Sequence, residues 1–280
     1  MKYKIEKNTV QETLIIPLFA RKVCSELYPD LYRDETAVRL IGEIDYDFSQ
    51  AEKNARGLMQ RFGSLEVAMR QNDLAFEVRD YLKDHPNGAV VNLGCGLDST
   101  GRACDNGSCS IYNLDFPDVI AVRNELLPAG EREKNIPCDL NDTAWFSQID
   151  ASKGAVFFAS GVFYYFLTEQ VKALVQAMAD AFPSGVLVFD GANRTAVKMI
   201  SKTWLKSAKI QNVGAYFAVT DAPKEISPWD SRLRVTSRGY MLGYSDLKAP
   251  SVSGFFRFLA RVGDGMMKMQ IVKIRFGGNE

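Results

Sequence analysis

Gly94 and Gly96 stand directly after the apolar run Ala89–Leu93, in the stretch VVNLGCGLDST, and Asp115 closes the next apolar run about twenty residues on. Glycine permits a positive φ and presents no Cβ to block a ligand. A carboxylate at a strand end accepts hydrogen bonds from both hydroxyls of a ribose. The combination points to a nucleoside-containing cofactor lying across two neighbouring strand ends. A Gly-x-Gly pair alone is equally an ordinary structural turn, and the order strand, glycines, strand, acid is what favours the cofactor. The third glycine of a dinucleotide fingerprint would fall at Ser99, which weakens a nicotinamide or flavin reading without selecting another cofactor.

Such a loop needs a sheet to hold it. From Ala89 onward apolar runs alternate with helical patterns: AVVNLG, CSIYNLD and the helical PDVIAVRNELL with Pro117 in its first turn. KNIPCDL then reads as a short strand and DTAWFSQI as a short helix capped by Asp142. AVFFASGVF is a strand, TEQVKALVQAMADAF a helix with Thr168 as cap, GVLVFDGA a strand and TAVKMISKTWLKSAK a helix. Strands separated by helical crossovers predict a mostly parallel α/β sheet with helices on both faces. RLRVTSRGYML and MKMQIVKIRFG add two strand-like runs around the helical GFFRFLARVG. The first 85 residues are mostly helical in pattern, in ETLIIPLFARKVCSEL, in RDETAVRLIGEI with Asp34 as N-cap, and in the longer SLEVAMRQNDLAFEVRDYLKDH.

Composition bounds the function classes. The 280 residues are 46% hydrophobic, which suffices for a sizeable core. The 34 basic and 34 acidic residues cancel, so no nucleic-acid footprint is expected. No apolar run approaches the ~20 residues of a membrane span, and the N-terminal patch, with Glu6 and Glu12, does not read as a signal peptide. Cys24, Cys95, Cys104, Cys109 and Cys138 read as thiols of a reducing cytosol. With no CxxC pair and His85 as the only histidine, no metal site is expected. His85 itself, in the turn-like KDHPNG, reads as a loop residue.

VVNLGCGLDS followed by YNLDFPDVIAVRNELLP resembles the leucine carboxyl methyltransferase family, and within it the bacterial polyketide O-methyltransferase branch. TLIIPLFAR (Thr13 to Arg21), RDETAVRLIGEIDYDF, DYLKDHPNGAVVNLGCGLDS and ASGVFYYFLTEQVKAL extend the resemblance over most of the chain. It implies a class I S-adenosylmethionine-dependent methyltransferase fold, a Rossmann-like doubly wound sheet. It further implies a helical cap over residues 1–85 packed on a core of residues 86–280, one structural unit overall. Carried across residue by residue, the resemblance places Gly94, Cys95 and Gly96 along the methionine and ribose of the cofactor, with Asp115 on the ribose hydroxyls. It places Phe116 beside the adenine and Asp139 and Leu140 near the base. Arg70 matches the arginine that pairs with the cofactor's carboxylate, a role suited to a planar guanidinium; without the resemblance it reads as a solvated helix charge. Where the family carries Glu-Gly-Val this chain has Ser160-Gly161-Val162, so a neutral hydroxyl faces the cofactor's ammonium. Asp98 is either ligand-facing or a loop cap, the second being preferred.

The implied activity is O-methylation of a small carboxylic acid or polyketide-like acceptor. The alternatives are methyl esterification of a protein C-terminus and cofactor binding with reduced or lost catalysis. An ionised carboxylate acceptor needs no general base, whereas a phenol would be helped by one. Tyr164, Tyr165 and Asp190 lie near strand ends, and Tyr165 matches the family's recurrent tyrosine, although FYYF is also an ordinary core or pocket lining. The N-terminal helices and Asp221 to Arg234 are expected to cover the carboxyl edge of the sheet, with Phe217 and Trp229 lining an apolar site or belonging to the core. Nothing in the pattern speaks to oligomeric state.

Overall fold

The computed structural model describes residues 2–5, 14–200, 216–245 and 247–277. Besides a short parallel pair, Tyr3–Lys4 with Ile44–Asp45, the strands are β1 (Ala89–Leu93), β2 (Ser110–Asp115), β3 (Glu133–Pro137), β4 (Ala155–Ala159), β5 (Val186–Gly191), β6 (Arg234–Gly239) and β7 (Gln270–Arg275). The strands β1 to β7 form one seven-stranded sheet in the order β3-β2-β1-β4-β5-β7-β6. The first five run parallel, and β7 pairs antiparallel with both β5 and β6. Strand order reverses between β1 and β4, which opens a crevice beyond their carboxyl ends. Every residue of β1, β4 and β5 is buried, as expected where helices cover both faces.

The helices that matter for the site are α1 (Ile15–Leu27), α2 (Glu35–Glu43), α3 (Ser49–Ala55), α4 (Leu58–Asp84), α5 (Pro117–Leu126), α6 (Thr168–Ala181), α7 (Arg194–Ile200), α8 (Ala222–Ile226) and α9 (Gly254–Gly265). Leu74, Val78 and Leu82 of α4 pack in one cluster with Val90, Val156 and Val188, so the N-terminal helices share the core of the sheet. The helix α1 reaches the glycine loop: Arg21 Nη2 donates to the Leu97 carbonyl at 3.0 Å, and Leu14 beside it meets Gly96.

Local chemistry sets several of these boundaries. Asp34 caps α2 by accepting the Ala37 N–H at 2.8 Å, and Asp142 caps a 3-10 helix, Thr143–Gln148, through the Ala144 N–H at 3.0 Å. The start of α6 departs from the sequence expectation by one residue: Leu167 is the cap and Thr168 the first helical residue. The Gln170 side chain, three residues on, accepts the Leu167 N–H at 2.8 Å, so no Thr168 hydroxyl is needed at the cap. The helix expected over TAVKMISKTWLKSAK begins as α7, and its part beyond residue 200 lies outside the described residues up to 215.

Asp221 to Arg234 do not cover the carboxyl edge. Ala222, Ile226 and Leu233 are buried with Phe189, Val272 and Ile274 on a face of the sheet, and Gln176 of α6 donates to the Trp229 carbonyl at 2.7 Å. Phe217 is 2% exposed and packs against Phe189, so both aromatics belong to the core. The apolar side chains of this segment are better satisfied between α6 and the sheet than on a wet rim.

Candidate active site

The site is built at the carboxyl ends of β1 and β4. Gly94 has φ +65°, and a Cβ there would lie 2.6 Å from Val162 Cγ2. Only glycine fits both the backbone and the space. Gly96, at φ +46°, passes under Leu14, and the buried Cys95 between them donates its N–H to the Leu114 carbonyl at 2.9 Å. Asp115 closes the loop from the neighbouring strand. Its Oδ2 accepts the Gly96 N–H at 2.7 Å and its Oδ1 the Phe116 N–H at 2.8 Å, while burial, the largest influence, raises its carboxyl above the usual range.

Phe116 stands at the rim, 45% exposed. The turn after β3 is tethered to the same point, because the Cys138 N–H donates to the Asp115 carbonyl at 2.8 Å. In that turn Leu140 is buried in the core and Asp139 is exposed, accepting the Asn141 N–H and side-chain amide at 2.9 Å each. Gly94, Cys95, Gly96, Asp115, Phe116, Asp139 and Leu140 therefore share one edge of the sheet.

Arg70 reaches this edge from α4. Its Nη1 donates to Asp190 Oδ2 at 3.1 Å, at the end of β5, and Asp190 Oδ1 accepts the Gly161 N–H at 2.6 Å. Gly161 has φ +71°, and a Cβ there would sit 3.2 Å from Arg70 Nη2. The buried Arg70 Nε has no partner among the described residues. Next to Gly161, Ser160 donates its hydroxyl to Gln71 Oε1 at 3.0 Å.

The tyrosines follow in a 3-10 turn, Phe163–Tyr165. Tyr164 is buried and Tyr165 is 43% exposed at the rim. Desolvation raises the Tyr164 and Tyr240 phenols well above their ordinary value and still raises that of the rim-lying Tyr165. All three hold their protons at neutral pH and serve as donors rather than bases. His85 stacks on Tyr81 at the C-terminal cap of α4, at the opposite end of the sheet from the loop.

Four side chains complete the site that the sequence did not single out. Arg123 of α5, 1% exposed, donates to the Gly96 carbonyl at 2.8 Å and the Asp98 carbonyl at 2.7 Å, clamping the glycine loop from behind. Gln71 and Thr100 link Ser160 to the loop. Glu66, one turn before Arg70 on the same face of α4, is half-buried and makes no hydrogen bond among the described residues. Desolvation pushes its carboxyl up to about 7 against the opposing pull of Arg70. The signal that marks it is the i, i+4 spacing to Arg70. Asp98 is a loop cap: its Oδ1 accepts the Thr100 N–H at 2.9 Å and hydroxyl at 2.8 Å, and its Oδ2 the Asn92 amide at 3.0 Å.

The cradle fits S-adenosylmethionine. Three glycines at positive φ let the chain turn at the strand ends under Val162, Leu14 and Arg70, Asp115 offers a carboxylate to a ribose, and Arg70 offers a guanidinium with an unpartnered Nε. Among the described residues no helix is long and apolar enough to cross a membrane.

Comparison with known proteins agrees. The leucine carboxyl methyltransferase family matches residues 16–179. The tetracenomycin polyketide synthesis O-methyltransferase TcmP of Streptomyces glaucescens is 27% identical over 66% of this chain and 67% of its own. The S-adenosyl-L-methionine-dependent methyltransferase dpfgK of Gibberella zeae is 25% identical over 94% of this chain and 92% of its own. Among solved structures, the plantazolicin methyltransferase BpumL in complex with SAH shares the fold, with a TM-score of 0.51, 12% identity, and coverage of 96% of this chain and 99% of that one.

Proposed function

Starting from the chain's membership of the leucine carboxyl methyltransferase family, a class I S-adenosylmethionine-dependent methyltransferase, we propose that its acceptor is the carboxylate of a small, polyketide-like acid. When bound, S-adenosylmethionine supplies a methyl group already activated on a sulfonium. The protein's task is to hold the acceptor oxygen in line with that methyl and to exclude water. In this reading Asp115 holds the ribose, Phe116, Asp139 and Leu140 border the base, and Gly94, Cys95 and Gly96 line the path to the methionine end. Arg70 takes the cofactor's carboxylate. Tyr165, at the rim and protonated, donates a hydrogen bond to the acceptor's carboxylate.

The observation that carries the carboxylate is the state of these groups. A carboxylate acceptor would bring its own electron pair to that methyl group, so no residue of the chain would have to take a proton. The phenols around the cleft are held protonated and His85 is at the far end of the sheet, so neither can take a proton from a phenolic acceptor. The name of the Streptomyces glaucescens relative supports a polyketide-like acceptor.

Glu66 favours a second reading, a phenolic acceptor with Glu66 as the base. Its half-buried, unpaired carboxyl titrating near 7 suits that role. The rate against pH separates the two with aromatic acids, matched phenols and a peptide ending in a free leucine carboxylate. We expect methyl transfer to the acid with a flat profile from pH 6 to 9 and Glu66→Gln within about threefold of wild type. Transfer only to the phenol, with a rate falling below pH 7 and a loss of about 10²-fold or more in Glu66→Gln, would replace the first reading by the second. Transfer to the peptide alone would move the acceptor to a protein C-terminus.

A further inference from the structure

A row of buried side chains runs from the glycine loop to the end of β4. Thr100 donates its hydroxyl to Asp98 Oδ1 at 2.8 Å, Gln71 Nε2 donates to Thr100 Oγ1, and Ser160 donates to Gln71 Oε1 at 3.0 Å. Asp98, Thr100 and Gln71 are 8%, 6% and 5% exposed, so no water competes along the row. Its direction follows from the donor inventory. A threonine hydroxyl has one proton, and the Asp98 carboxyl at 2.8 Å, which also accepts the Thr100 N–H and the Asn92 amide, takes it. Thr100 Oγ1 must then accept, which turns the Gln71 amide nitrogen toward it and the Gln71 oxygen toward Ser160. Ser160 Oγ can satisfy that oxygen only by donating. Every donor in the row thus points toward the carboxylate of Asp98.

Ser160 lies where the amino-acid end of the cofactor is read. It immediately precedes Gly161, over which Arg70 Nη2 passes. The ammonium of that amino acid is one carbon from the carboxylate assigned to Arg70, and it needs an acceptor beside the arginine. The Asp190 carboxylate is 2% exposed, with Oδ2 on Arg70 and Oδ1 on the Gly161 N–H, so it presents little surface to a ligand. The Asp98 carboxylate is buried under three donors. The Ser160 oxygen, its proton committed to Gln71, keeps its lone pairs. Hydrogen bonds in such a row polarise one another, so the charge at Asp98 makes that oxygen a better partner for a cation than an isolated serine.

We infer that Asp98, Thr100 and Gln71 are positioning residues that relay negative charge to Ser160, the residue that the family resemblance sets at the cofactor's ammonium. The inference rests on the cofactor placement proposed above. It assigns the recognition of the ammonium to a neutral side chain backed by a buried acid two residues of the row away.

Calorimetry with two probes tests it. S-adenosylhomocysteine carries the ammonium, and 5′-methylthioadenosine has the same nucleoside without the amino acid. Ser160→Ala, at a half-buried strand end, should weaken S-adenosylhomocysteine about ten- to a hundredfold and leave methylthioadenosine within twofold. Thr100→Val breaks the row and keeps the shape; it should weaken S-adenosylhomocysteine about three- to tenfold, again sparing methylthioadenosine, and Thr100→Ser should restore it. Equal losses for both probes would reduce the row to a structural brace, and unchanged S-adenosylhomocysteine affinity in both variants would overturn the inference outright. Loss in Glu66→Gln with none in Ser160→Ala would move the ammonium to Glu66. If wild type binds neither probe, the cofactor placement itself fails, which is a separate result.

Discussion

Replacing Asp115 by asparagine removes one charge and one acceptor from the centre of the site. Each carboxylate oxygen has its own backbone donor, the Gly96 N–H at 2.7 Å on Oδ2 and the Phe116 N–H at 2.8 Å on Oδ1. An asparagine turned either way presents its NH2 to one of them, leaving that donor unpaired. A buried unpaired donor costs about 1–3 kcal/mol. Relief of the burial penalty that raises the native carboxyl offsets part of this, so we expect a net loss of about 1–2 kcal/mol, or about 2–6 °C in Tm. Binding should suffer more. A ribose donating to a carboxylate makes charge-assisted bonds of about 1.5–3 kcal/mol, and the amide competes for its single oxygen with the loop. Affinity for S-adenosylhomocysteine should fall about ten- to a hundredfold. Urea denaturation measures the first quantity and calorimetry the second. Affinity within twofold of wild type in a folded Asp115→Asn protein would refute the ribose placement, and unchanged stability would refute the claim that Asp115 holds the glycine loop.

Arg123→Met keeps much of the buried volume but strips the Gly96 and Asp98 carbonyls of their donor; we expect a loss of at least about 3 kcal/mol in urea denaturation and weaker S-adenosylhomocysteine binding, and a neutral variant would show that the clamp is idle. Gly94→Ala meets the left-handed backbone cost of about 1–2 kcal/mol and the contact with Val162 Cγ2, about 1–3 kcal/mol more. Adding Val162→Ala should recover only the second part, and a double-mutant cycle with zero coupling would contradict the close approach.

Local patterns carried much of this fold. The apolar runs, their glycine ends and the acid closing β2 are readable because a strand's faces and a loop's φ depend on neighbours in sequence. The caps at Asp34 and Asp142 are of the same kind, each bond spanning two or three residues. Thr168 missed by one residue because Gln170 competes for the same start, a choice local patterns leave nearly balanced. Arg70 could be named only through resemblance, since its partner Asp190 is 120 residues away and is brought to it by the order of the strands. Arg123 reads as one more charge of an exposed helix until α5 is laid against the glycine loop, where its guanidinium is buried. The segment from Asp221 to Arg234 carries apolar residues that suit a rim or a face equally well, and only the space left between α6 and the sheet decides for the face. The row from Asp98 to Ser160 joins three separate stretches of chain. Sequence alone supplied its carboxylate, hydroxyls and amide; tertiary packing decided that they touch, because burial away from water obliges each polar group to find another.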